Sequence, residues 1–262
     1  MLKEIIIAIQ SFFEAHAFIR KHRLWKWIVI PGLVYMALFV VGIYFFINSS
    51  DYAVSLLSKK IGIEAWLQQE RNAFLSFLFV MAGIMLRLGL FYFYFSLFKF
   101  LFLIVGSPVF AYLSEKTSSI IEGKDYPFSF SQLLSDIVRG IRLALRNALW
   151  QTVYVFFILF LSLIPVFGWI TPLIGLFVEC YYYGFSMIDY SLERSKLSPA
   201  ASIDYIGQHK GLAIGNGLMF YLMHIVPFIG WILAPAYAVI AATLSLYKIR
   251  GESTSYELRG AV

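Results

Sequence analysis

The residues in this chain whose types and spacing could do chemistry are mostly cations. Arg20, Lys21, Arg23 and Lys26 crowd one short segment, and Arg139, Arg142 and Arg146 recur at intervals of three and four. On a helix that second spacing aligns the three guanidinium groups along one side, opposite Leu134, Ile137, Val138, Ile141 and Leu145. Arginine presents a planar fork of donors and keeps its charge at any physiological pH, so either cluster suits an oxyanion. Each also fits a plainer role. Basic amphipathic helices rest on anionic lipid head groups, and cations ahead of a membrane span hold that end in the cytoplasm, with Trp25 and Trp27 as interfacial residues.

Four ionisable residues interrupt apolar stretches: Arg87, Lys99, Glu179 and His224. A charge within hydrocarbon costs about 2.5 kcal/mol or more unless it is paired or wetted. Arg87 and Glu179, with Glu115 beyond the second apolar run, are therefore candidates for an ion pair or a wet pathway. Lys99 is expected to snorkel to the interface, and His224 to be a hydrogen-bonded packing residue. The chain has no phosphate-binding glycine loop, no paired Cys or His at metal-ligand spacing and no nucleophile motif, so neither an enzyme nor a cofactor or metal is expected. With Cys180 as its single cysteine it can form no internal disulfide.

The elements that must position these residues belong to a membrane. Of 262 residues 60% are hydrophobic, 19% aromatic and only 14% charged, which specifies an all-α integral membrane protein forming a single membrane domain over 1–262. The net charge of +6 is accounted for by a cytoplasmic membrane face and calls for no nucleic acid. Residues 28–47 form an uncharged run long enough for a first transmembrane helix, and 72–105 a second, longer one that must tilt, kink or protrude. The first span is expected to stay as an anchor, because a polar segment of 1–27 precedes it. Within that segment Leu2, Ile5, Ile6, Ile9, Phe12 and Phe13 share one helical face, predicting an interfacial helix.

Two turns match one another. Pro165-Val166-Phe167-Gly168-Trp169-Ile170 recurs as Pro227-Phe228-Ile229-Gly230-Trp231-Ile232, each followed by another proline, Pro172 or Pro235. Proline removes a backbone donor and glycine tolerates any φ, so each turn predicts the tip of a helical hairpin, over 148–188 and 213–247. The arms from 173 to 188 and from 213 to 226 would rise only about 24 and 21 Å against a hydrocarbon core of about 30 Å. Membrane-dipping hairpins that return to the same side are the favoured reading, with spanning pairs as the alternative.

Basic residues give the sidedness. The flank before the first span and the amphipathic segment 107–147 are rich in Lys and Arg and should be cytoplasmic, with 48–71 as an external loop. The segment 189–212 and the tail 248–262 come out cytoplasmic on either hairpin model. Gly207, Gly211 and Gly215 recur every four residues and predict close helix packing, and Ser198 before Pro199 predicts an N-cap for a short helix over 200–208.

Taken in order, these landmarks resemble the bacterial CysZ-type sulfate permeases and the wider family containing etoposide-induced proteins. They are the basic approach to Ile30-Pro31; the run Ser107-Pro108-Val109-Phe110-Ala111-Tyr112-Leu113-Ser114-Glu115; Ile164-Pro165 with Gly168; Asp189-Tyr190; Ile225-Val226-Pro227; and the small-residue run from Pro235 to Thr243. The family is similar in having two long transmembrane helices and two membrane-dipping hairpins. The resemblance implies sulfate entry for cysteine biosynthesis through a channel-like permease of a bacterial inner membrane, with a sulfate site at a Gly-Leu-Arg type motif before the first span. Here Arg23 holds the glycine position, Leu24 follows, and Trp25 holds the arginine position beside Lys26, so the motif's backbone geometry is expected to change while Arg23 and Lys26 keep an anion in reach. A homo-oligomer with lipid partners is expected. The alternative from another class is a non-transporting scaffold whose basic helices hold anionic lipid.

Overall fold

The computed structural model describes residues 1–61, 73–124, 130–162 and 170–260. These contain helices α1 (Leu2–Lys21), α2 (Trp25–Ile61), α3 (Ala73–Glu122), α4 (Phe130–Ser162), α5 (Thr171–Arg194), α6 (Pro199–Gln208), α7 (Lys210–His224) and α8 (Ile229–Gly260), and no strand. The protein is an all-α membrane protein. Among the described residues three stretches are long and apolar enough to cross a bilayer: Trp25–Ser49, Phe98–Glu122 and Ile229–Gly251. The chain forms two compact units, residues 1–36 with 100–262, and residues 37–99.

Helix ends depart from the expected boundaries for local reasons. The first long helix runs to Ile61, so the part of the predicted external loop from 48 to 61 is helical. Its polar residues do not break the helix because they turn back onto it: Asn48 donates to the Tyr44 carbonyl at 3.0 Å, Ser49 to Phe46 at 3.2 Å and Ser55 to Tyr52 at 2.9 Å. The second long helix runs through Pro108 to Glu122, so the first part of the predicted amphipathic segment belongs to it. Proline at 108 deprives the Ile104 carbonyl of its usual donor four residues on, and the Ser107 hydroxyl takes that carbonyl at 2.9 Å. From Phe130 onward the segment is continuous with the first hairpin arm as α4.

The first hairpin tip, 163–169, lies outside the described residues. At the second tip glycine is not the residue in the unusual conformation. Phe228 takes φ +60°, whereas Gly230 allows a close approach: a side-chain carbon there would run into the Met223 carbonyl oxygen. The tip is closed by Gly230 N–H donating to the Val226 carbonyl at 2.9 Å and by the Trp231 indole N–H donating to the His224 carbonyl at 3.1 Å. By helix rise, α7 with its 15 residues reaches about 22 Å and α5 with its 24 about 36 Å. The sequence estimate for the first arm was therefore too short.

The larger unit is built around α7, which packs on α1, α5 and α8. Lipid tails are as apolar as leucine, so burial alone gives helices little reason to associate in a membrane, and small residues that admit backbones matter more. A methyl at Gly217 would collide with the Cys180 carbonyl of α5, and one at Gly184 of α5 with the Ala213 carbonyl of α7. On the opposite side, a carbon at Gly211 would strike α1 at Glu4, and one at Gly215 would lie 2.8 Å from Ala8. Gly207 meets only open space, so that member of the predicted glycine face does not pack.

α1 is more than an interfacial helix. Ile7, Ala8, Ser11, Phe12, Ala15 and Ile19 are buried against the bundle, and Glu4 accepts from the Gly211 N–H at 3.0 Å and faces His209 Nδ1 at 2.9 Å. Leu2, Ile6 and Phe13 of the predicted apolar face stay exposed. The predicted cap of α6 is present, with Ser198 Oγ accepting from the Ala201 N–H at 3.2 Å. Hydroxyls of Ser114, Ser191 and Thr243 from α3, α5 and α8 meet at 2.8 to 3.4 Å in a buried cluster. In the smaller unit the Tyr94 hydroxyl donates to the Gly42 carbonyl at 2.8 Å, and Phe39 packs on Phe98.

Candidate anion-binding site

The corner between α1 and α2 is a helix-terminating motif read directly from its hydrogen bonds. The Leu24 N–H donates to the Ile19 carbonyl at 3.1 Å, five residues back, and Arg23 between them takes φ +54°. Glycine is the usual residue there because a side chain is strained in the left-handed region. Leu24 is 4% exposed and joins Ile19 in the core, which accounts for the hydrophobic residue required just after the turn. Arg23 thus adopts the left-handed conformation that glycine favours. Arg23 and Lys26 are exposed at the head of α2.

The three aligned arginines of α4 have separate surroundings. Arg139 donates from Nη2 to Asp189 Oδ1 at 2.8 Å and to Ser202 Oγ at 2.6 Å, from Nε to Asp189 Oδ2 at 3.4 Å, and from Nη1 to the Leu197 carbonyl. Glu193 lies 3.6 Å from Nε. With side chains 11% exposed for Arg139 and 7% for Asp189, this is a buried node joining α4, α5, the α5–α6 connection and α6. Arg146 donates to Asn147 Oδ1 at 2.9 Å and lies 5.8 Å from the Phe185 ring. Arg142 is exposed. Sequence reasoning missed Asp189 and Glu193 as partners, although their spacing of four places both on one face of α5.

Arg142 lines a cleft of about 630 Å³ together with Gln132, Ser135, Glu193, Lys196 and Pro199. Glu179 is buried, and its two oxygens accept from Gln151 Nε2 and, at 2.9 Å, from the Tyr221 hydroxyl. The Arg87 side chain lies outside the described residues, so the proposed partner of Glu179 has no geometry here. Lys99, expected to snorkel, is 8% exposed. Glu115 is half-buried on α3. His224 is a packing residue as expected: its ring stacks on Phe220 at 5.2 Å and its Nε2 sits 3.5 Å from the Tyr35 hydroxyl.

The sequence model of the family described as Sulfate transporter CysZ/Etoposide-induced protein 2.4 matches residues 11–235. Sulfate transporter CysZ of Pseudomonas fluorescens strain Pf-5 is 29% identical over 150 residues, which cover 56% of this chain and 60% of that protein. The proteins of the same name from Pseudomonas aeruginosa strain PAO1 and Pseudomonas syringae pv. tomato strain DC3000 are each 26% identical, over 57% and 56% of this chain and 61% and 59% of theirs. The chain thus spans about three fifths of the length of the curated relatives it matches. These relatives bear the name of a transporter and not of an enzyme. Because the family match takes in both basic clusters, the first hairpin and the first arm and tip of the second, the chain belongs to the Sulfate transporter CysZ/Etoposide-induced protein 2.4 family.

Proposed function

We propose that this chain is a membrane permease for sulfate or a related oxyanion, of a bacterial inner membrane, with both termini cytoplasmic and a product that feeds cysteine biosynthesis. The observation that carries this reading is the α1–α2 corner. Arg23 holds a left-handed backbone at the position where the family resemblance has glycine, and Lys26 follows at the head of a helix apolar enough to span. Helix N-termini carry partial positive charge, so two cations there add to a field already favourable to an anion. The name of these relatives, sulfate transporters, supports sulfate as the substrate. Arg142 and Arg146 would extend the basic surface toward the cytoplasm, while Arg139 serves mainly to hold α5 and α6. Arg87, Glu179 and Glu115 stand as pathway candidates in this reading, and homo-oligomers in contact with lipid as its assembly.

The test is uptake of labelled sulfate into liposomes holding the purified protein. Replacing both Arg23 and Lys26 by Gln removes two charge-assisted donors and should lower flux at least about tenfold, with correct insertion checked independently. Unchanged flux in the inserted double variant would leave these residues as topological anchors. No flux from the wild type, with anionic lipid retained through purification, would support the scaffold reading instead.

A further inference from the structure

We propose that the α5–α6 connection is a second oxyanion station, equivalent in construction to the α1–α2 corner and centred on Lys196 and Arg142. The two corners share their backbone. At the end of α5 the Leu197 N–H donates to the Leu192 carbonyl at 3.4 Å, five residues back, and the residue between, Lys196, takes φ +58°. Arg23 at φ +54° precedes Leu24 in the same relation to Ile19. In both places the left-handed position that glycine fills without strain holds a cation, a leucine follows, and a new helix begins within three residues. Strain at a cation in two matching turns points to a use for the charge.

The surroundings of Lys196 define the ligand. Arg142 and Lys196 are the exposed cations lining the 630 Å³ cleft, whereas Arg139 is turned to Asp189, Glu193, the Leu197 carbonyl and Ser202. Glu193 also lines the cleft, but the two carboxylate side chains are only 7% and 6% exposed and both lie against Arg139, which leaves Arg142 and Lys196 as the cations open to an incoming anion. Gln132 and Ser135 add neutral hydrogen-bonding groups, and Pro199 brings the N-terminal end of α6 to the rim. The chemistry that fits is a tetrahedral oxyanion of the sulfate or phosphate class, either a free dianion or the head group of an acidic lipid.

The class of ligand rests on the oxyanion reading of the family, but the test does not depend on transport. Full-length protein is placed in phosphatidylcholine nanodiscs alone, with sulfate added, or with phosphatidylglycerol in the bilayer, and acetylation of the Lys196 amine is followed by mass spectrometry, with exposed Lys124 as reference. Occupancy should slow Lys196 modification about fivefold relative to Lys124, the factor expected for one cation's share of anion binding. Protection by sulfate alone identifies a free oxyanion site, and protection only by phosphatidylglycerol a head-group site. Arg142→Gln should abolish either. Protection by neither, or protection that survives Arg142→Gln, overturns the proposal, and a protein that passes no sulfate in liposomes can still show it.

Discussion

At the scale of single residues, two positions carry opposite costs. Arg23 pays for its conformation with roughly 1 kcal/mol of left-handed strain, so Arg23→Gly should raise thermal stability in detergent by up to about that amount while weakening sulfate binding. A loss of stability would mean that the arginine side chain holds the corner. Arg139 is the reverse case. Arg139→Ala leaves Asp189 and Glu193 buried without their shared cation and should cost about 3 to 5 kcal/mol, seen as a large drop in unfolding temperature. Arg139→Lys should recover only part of this, because an ammonium cannot bridge both Asp189 oxygens as the guanidinium does. The sequence made Arg139 legible as one of three aligned cations. It could not reveal that a carboxylate 50 residues away takes it out of the solvent-facing set, since nothing local marks that pairing.

Helices are set by which of their small residues face another backbone. Gly217→Ala should destabilise the α5–α7 contact severely, with loss of folded protein in a detergent melt, because the added carbon overlaps the Cys180 carbonyl and backbone cannot swing aside. Gly207→Ala meets open space within α6 and should be neutral or stabilising by up to about 1 kcal/mol. A four-residue glycine repeat predicted close packing correctly in kind and for Gly211 and Gly215. It included Gly207 and passed over Gly217 and Gly184, because periodicity identifies a face but not what lies opposite. Pro108 lies inside its helix because a neighbouring serine hydroxyl satisfies the carbonyl that the proline abandons.

For the whole molecule, class, family and the existence of both basic clusters were legible from composition and order, while element ends were not, because polar residues that fold back onto their own helix look like loops in a linear reading. The short α7 still bears on topology. With about 22 Å of rise against a core of about 30 Å, its tip should stop short of the far surface. A cysteine at Ile229, in a background with buried Cys180 replaced by Ala, should resist a membrane-impermeant thiol reagent added outside intact cells, and efficient labelling would establish a spanning pair. The docking of α1 has a further consequence for how the chain is made. Glu4 meets His209, 205 residues later in the chain. At roughly 5 to 20 residues per second of synthesis, the first helix emerges about 10 to 40 s before the surface it will cover exists. Its buried face must be sheltered meanwhile, and the lipid interface can hold it through Leu2, Ile6 and Phe13, the apolar residues that remain outward after assembly. The outward stripe thus works as a mooring during biogenesis: its value lies in the interval before the bundle closes.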